Sequence, residues 1–291
     1  MLDLQQLGYR YPGSPAPALQ DISLHIQPGE CIGLLGSNGA GKTTLLSLIA
    51  GLIQPQQGSL RWQGHSAIGL VPQSLAFHAR LRVSENLQLF ADLYRLRGSE
   101  RQHQLEQAID AAELQPLLKR TAAQLSGGQQ RRLNFALGLL QPAQLYLLDE
   151  ATVGVDSASR QRMLQAVRNL ADNGKAVIYT SHYLPEIEQL ADRVLLLSEG
   201  RLLLDQRLQE QPAQQFSARW ADTVPQALIQ LCHDRHWSCS QQGNQLKLEL
   251  SDPQHLQELL QLLASQPAPV QLDYGPASLE QLYLHSSRGQ L

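Results

Sequence analysis

Gly36-Ser37-Asn38-Gly39-Ala40-Gly41-Lys42-Thr43 is the stretch that decides how this chain is read. It fits the pattern G-x-x-x-x-G-K-[ST], follows the apolar run Cys31-Ile32-Gly33-Leu34-Leu35 and precedes Thr44-Leu45-Leu46-Ser47-Leu48-Ile49-Ala50. Buried strand, tight loop and helix are the context in which that pattern has mechanical meaning. Glycines let backbone N–H groups turn inward as an anion nest, and the start of a helix adds partial positive charge. Lys42 is placed to neutralise β- and γ-phosphates and the Thr43 hydroxyl to ligate Mg²⁺. Residues 36–44, Thr44 included, are therefore expected to cradle the phosphates of a nucleoside triphosphate.

Such a loop needs an acidic partner at the end of a neighbouring buried strand. Leu145-Tyr146-Leu147-Leu148-Asp149-Glu150 supplies it. Asp149 is expected to hold Mg²⁺, directly or through water, and Glu150 to polarise an attacking water as general base. Just upstream lies Leu125-Ser126-Gly127-Gly128-Gln129. Here the sequence resembles the ATP-binding-cassette (ABC) family, whose signature is this LSGGQ string. The resemblance implies that Ser126, Gly127, Gly128 and Gln129 form a second γ-phosphate clamp that closes on ATP held by an opposite domain. Ser126 and Gln129 also have the spacing of a capping box, and such a cap would point the amides outward.

Other family positions match one by one. Gln73, in Val71-Pro72-Gln73, resembles the glutamine that contacts Mg²⁺ and the attacking water and senses the membrane partner. His182, in Thr180-Ser181-His182, resembles the switch histidine that hydrogen-bonds the γ-phosphate. Asp156, in Val153-Gly154-Val155-Asp156, matches the loop that crosses the dimer interface, and it is equally suited to cap the helix after it. Tyr11 stands where the family stacks an aromatic ring on adenine, with Tyr9 as the substitute. Ala151 replaces the proline usual after the catalytic glutamate, a change that removes no ligand.

Outward from these motifs, buried strands alternate with helices, which implies an α/β fold with a largely parallel sheet. Period-two alternation over 2–11 and 19–26 predicts an antiparallel β subdomain, and residues of about 76–135 read as a helical insertion. The resemblance covers about 2–207, as an ABC cassette of the P-loop NTPase class. A Gln-rich stretch with Pro212 then marks a boundary. Residues 208–291 follow the order strand, helix, strand, strand, helix, strand, the split βαβ arrangement of a small ferredoxin-like α+β domain, with a closing helix over 277–286.

The 291 residues are long enough for two cores. A hydrophobic fraction of 43% with 17% charged residues is that of a folded protein. A net charge of -3 gives no general attraction to nucleic acid or anionic lipid, and no nucleic-acid partner is expected. The three cysteines, Cys31, Cys232 and Cys239, match neither a disulfide framework nor a metal pattern and read as free thiols. Nowhere do about 18 apolar residues follow one another, so no direct membrane span is expected.

One set of motifs implies half of each composite site, so a second copy or a related ABC domain is an expected partner. Ala151-Thr152-Val153-Gly154-Val155-Asp156, Tyr179-Thr180-Ser181-His182-Tyr183-Leu184-Pro185-Glu186 and Pro276-Ala277-Ser278-Leu279-Glu280-Gln281-Leu282-Tyr283-Leu284 resemble the ATPase subunits of ABC-2 type exporters. That resemblance implies an ATP- and Mg²⁺-dependent motor, peripheral on the cytoplasmic face of the inner or plasma membrane, paired with a polytopic transmembrane permease. A soluble ABC ATPase acting on nucleic acid or ribosomes and an importer motor are the alternatives. The C-terminal domain would hold the dimer together or regulate turnover.

Overall fold

In the computed structural model of the chain, residues 2–64, 67–208, 214–250 and 253–276 are described, and the chain divides into two compact units, Met1–Arg207 and Leu208–Leu291. The first unit opens with β1 (Leu2–Tyr9) and β2 (Leu19–Ile26), whose alternating burial fits strands with one covered face. β3 (Cys31–Leu35) is buried at every position and leads through the glycine loop into α1 (Lys42–Ile49). After β4 (Gln57–Trp62) and β5 (Ile68–Val71) come the helices α2 (Val83–Leu93), α3 (Gly98–Ala111) and α4 (Gly127–Leu139). β6 (Leu145–Asp149), α5 (Ser157–Asp172), β7 (Ala176–Thr180), α6 (Leu184–Leu190), β8 (Arg193–Ser198) and β9 (Arg201–Arg207) complete it.

These strands form two sheets, an antiparallel one in the order β2-β1-β4 and a six-stranded one in the order β5-β6-β7-β3-β8-β9. The second is parallel except for the β8–β9 hairpin. Side chains from both sheets and α1, among them Leu4, Ile22, Ile32, Leu45, Leu147 and Ile178, share one core. Arg193 clamps the sheets at one end, pairing with Asp205 while donating to His25 O at 2.9 Å and lying 3.3 Å from Glu30. β4, β5, β9 and α6 are absent from the sequence reading.

Register fixes what stands at the sheet's edge. Leu34 pairs with Thr180, Asp149 with Thr180 and Val71 with Leu148, so β5, β6, β7 and β3 end side by side. In open α/β sheets ligands bind off the carboxyl ends of the strands, and here those ends deliver Gln73, Asp149, Glu150, Thr180, His182 and the glycine loop.

The second unit contains β10 (Gln214–Arg219), α7 (Gln226–Asp234), β11 (Cys239–Gln242), β12 (Gln245–Leu250), α8 (Pro253–Leu263) and β13 (Gln271–Pro276). Its sheet runs β11-β12-β10-β13 with every pair antiparallel, the strand order of a split βαβ unit. The helix expected over 277–286 lies outside the described residues. Phe216, Trp220, Leu228, Leu246, Leu248 and Leu259 form the unit's core. Phe216→Ala, at a position with 0% exposure, is expected to lower that unit's stability by about 3–5 kcal/mol, read as an earlier loss of amide-exchange protection in β10 and β12 than in β3 and β6.

Candidate active site

Gly41 is a loop position that tolerates no side chain. Its φ is +107°, and a Cβ there would stand 2.6 Å from the Ala18 carbonyl oxygen. Within the loop, Lys42 Nζ donates to Gly36 O at 2.7 Å and to Ser37 O at 3.1 Å. Burial holds the Lys42 ammonium below its ordinary value, while the carboxylates of Glu150 and Asp149 pull it back up. The cradle is thus ready formed, with its cation held by carbonyls that a phosphate could replace.

From Thr43, the residue after Lys42, a chain of hydrogen bonds runs along the sheet edge. Thr43 Oγ1 donates to Asp149 Oδ2 at 2.9 Å, and Thr180 Oγ1 donates to Asp149 Oδ1 at 2.7 Å. The same Thr180 oxygen accepts from the Glu150 backbone N–H at 2.9 Å. This contact steadies Glu150, whose φ of +51° lies in the left-handed region that non-glycine residues seldom adopt. Gln73 Nε2 then donates to Glu150 Oε2 at 3.0 Å, and His182 Nε2 pairs with Glu150 Oε1. Thr180 was missed in the sequence, where a threonine ending an apolar strand carries no motif of its own.

Gln73 is held from the helical insertion. Asn134 on α4, 2% exposed, accepts from Ala76 N at 2.8 Å and donates to Pro72 O at 3.0 Å, while Arg131 donates to Gln73 O at 2.6 Å. Ser126 caps the same helix: its Oγ accepts from Gln129 N at 3.3 Å, and Gln129 Oε1 accepts from Ser126 N at 3.1 Å. A Cβ on Gly127 would meet open space, whereas one on Gly128 would stand 2.7 Å from Gly154 O. Among the described residues, no hydrogen bond or ion pair joins 126–129 to 36–44 of the same chain.

Asp156 caps α5, accepting from Ser159 N at 3.0 Å, and that contact holds its carboxyl below the usual range. Tyr11, 45% exposed, meets Tyr9 edge to face and lies 3.3 Å from Thr44 Oγ1 through its hydroxyl, so its ring stands beside the loop. Cys31 and Cys232 are buried free thiols, each pushed up to about 12 chiefly by burial. A cavity of about 610 Å³ lined by Gln104, Tyr146, Arg162 and Lys175 contains none of the loop residues.

The donors fit a small hard cation and a triphosphate. Thr43 and Asp149 present two oxygens side by side, the partial set that suits Mg²⁺ carried in on phosphates. No cluster of three or more His, Cys, Asp or Glu that could hold a metal by itself occurs among the described residues. No helix among them is long and apolar enough to cross a membrane.

A family profile described as ABC transporter matches residues 19–153. The probable multidrug ABC transporter ATP-binding protein YbhF of Escherichia coli (strain K12) is 38% identical over 213 residues, covering 70% of this chain and 37% of that protein. The linearmycin resistance ATP-binding protein LnrL of Bacillus subtilis (strain 168) is 35% identical over 195 residues, 64% of this chain and 63% of its own length. The Nod factor export ATP-binding protein I of Burkholderia thailandensis is 34% identical over 214 residues, 70% of each. The chain thus spans little more than a third of the first of these relatives. Among solved structures, a dimeric ATP-binding cassette in a post-hydrolysis state bound to ADP and Pi superposes with a TM-score of 0.65 at 26% identity, covering 72% of this chain and 99% of that one.

Proposed function

The chain belongs to the ABC transporter family, and we propose that it is the ATP-hydrolysing subunit of an ABC-2 type exporter, working as a nucleotide-sandwich dimer that drives a separate transmembrane permease. One observation carries the reading: the unbroken run of contacts from Thr43 through Asp149, Thr180 and Glu150 to Gln73 and His182, beside a lysine buried in a glycine loop. The names of the relatives, a multidrug transporter, an antibiotic resistance protein and an exporter, favour outward transport.

In this mechanism the loop amides and Lys42 bind the β- and γ-phosphates, and the Tyr11 ring covers the base. Thr43 and Asp149 would hold Mg²⁺, which when bound would supply positive charge to the phosphate oxygens. Glu150 accepts a proton from the attacking water, and Gln73 and His182 orient its carboxylate and that water. Ser126 and the amides of Gly127 and Gly128 close on the triphosphate of the partner copy, while the Gln129 amide stays with the cap through Ser126 Oγ, and Asp156 faces the same interface. The ATPase rate of the purified chain is expected to rise faster than linearly with protein concentration where dimers begin to form. Strict proportionality down to the most dilute active sample would remove the sandwich from the reading.

In this reading residues of about 76–97 meet the permease's cytoplasmic helices, with the subunit working on the cytoplasmic face of the membrane. Arg80 and Arg82 are exposed at the entry to α2. Charge reversal at Arg80 is expected to cut transport at least about tenfold with ATP affinity unchanged, because contact charges tune association more than they tune a distant site. Vesicle transport and nucleotide titration read the two separately, and parallel loss of both would reject the assignment.

A further inference from the structure

Behind the candidate site sits a carboxylate that the proposed chemistry does not use. Glu186 lies on α6 with 4% exposure. Its Oε1 and Oε2 accept from the Thr152 hydroxyl at 2.9 and 3.0 Å, and Oε2 accepts from Tyr179 at 2.8 Å and from Ser181 at 2.6 Å. Thr152, Tyr179 and Ser181 are themselves buried. An ionised carboxylate removed from water needs such donors to be tolerated. Burial, and then the Glu186 charge, hold the Tyr179 phenol well above its ordinary value, so it stays a donor.

The partners sit at informative places in the chain. Thr152 is two residues after Glu150, and Ser181 immediately precedes His182. Ser181 Oγ also accepts from Tyr183 N at 3.0 Å, which fixes the turn on both sides of the histidine. Arg160 extends the junction: its Nε lies 3.5 Å from Glu186 Oε1, its Nη2 donates to Val155 O at 3.0 Å, and its guanidinium stands 5.8 Å from the Tyr183 ring centre. One carboxylate therefore ties the segment 151–155, which leads to Asp156, to the turn that carries His182.

We propose that Glu186 is a positioning residue for ATP hydrolysis, setting the turn that presents His182 to Glu150 and locking it to the segment that presents Asp156. The proposal rests on the ATPase reading above. Glu186→Ala removes the shared acceptor of three hydroxyls, whereas Glu186→Gln keeps the shape and an acceptor oxygen, and hydroxyls can rotate to meet its amide.

Steady-state ATPase kinetics and ADP titration of the wild type and both variants provide the test. Glu186→Ala is expected to lower kcat at least about tenfold with ADP affinity within about threefold, and Glu186→Gln to restore kcat to within about threefold of the wild type. At fixed pH the His182 ring proton resonance, assigned with His182→Gln, should move in Glu186→Ala and stay in place in Glu186→Gln. Ser181→Ala and Thr152→Val, each deleting one donor while leaving the carboxylate, should give smaller losses in the same direction and serve where Glu186→Ala does not fold. Unchanged kcat in these variants overturns the proposal, and so does an equal fall in kcat and ADP affinity. A wild-type chain without ATPase activity would instead refute the underlying reading.

Discussion

Replacing Glu150 with glutamine is expected to lower ATP turnover by about 10²- to 10⁴-fold while ATP affinity changes by no more than a few-fold. The side chain meets Gln73 and His182, and the backbone N–H meets Thr180. A glutamine of the same length keeps the backbone contact and most of the packing, and loses the capacity to accept a proton from water. The left-handed φ of +51° is a backbone property and persists in the variant. Phosphate release and equilibrium ATP titration measure the two quantities, and ATP should convert the variant to a dimer on size exclusion. Turnover within tenfold of the wild type would remove Glu150 from the role of general base.

Lys42→Ala acts one step earlier, on binding. Loss of at least about 100-fold in ATP affinity is expected, because a charged donor facing phosphate contributes roughly 1.5–3 kcal/mol per hydrogen bond. Folding should be little affected, since Lys42 donates only to the carbonyls of Gly36 and Ser37 within its own loop. The pH dependence separates the two effects. With its value lowered below 10.5 by burial, Lys42 binds its proton less tightly in the folded chain than in the unfolded one. Its contribution to stability therefore improves as pH rises from the lowered value toward 10.5, while the charge that attracts phosphate is lost over the same interval. ATP affinity falling while the melting temperature does not is the expected pattern, and Lys42→Ala should abolish that pH dependence of affinity.

The sheet edge that carries the candidate site is legible in the sequence because its residues sit in fixed local contexts. The glycine loop lies between an apolar pentad and a helix, and Asp149-Glu150 ends a second apolar run, so local pattern alone placed the ends of β3 and β6. β4 and β9 escaped because polar residues break their apolar runs, β4 beginning Gln57-Gly58-Ser59 with Gly58 at φ +77°, and β5 because it holds only four residues. α6 escaped because seven residues opening on Leu184-Pro185 hold too few turns to display a period. Thr180 and Glu186 went unread for a different reason. Their partners lie on other elements, and register and packing bring them together, which no local spacing encodes. The cap at Ser126 and the cap at Asp156 were legible, since both bonds close within three residues.

Gly128 has so little room beneath it that its helix start and the turn at Gly154 lie backbone against backbone. That turn begins at Glu150, so in the proposed sandwich the general base of each chain and its grip on the neighbour's nucleotide would sit on joined pieces of backbone. Two pockets joined in that way would fire in concert or in alternation, and a defect confined to one should be felt as hesitation in the other.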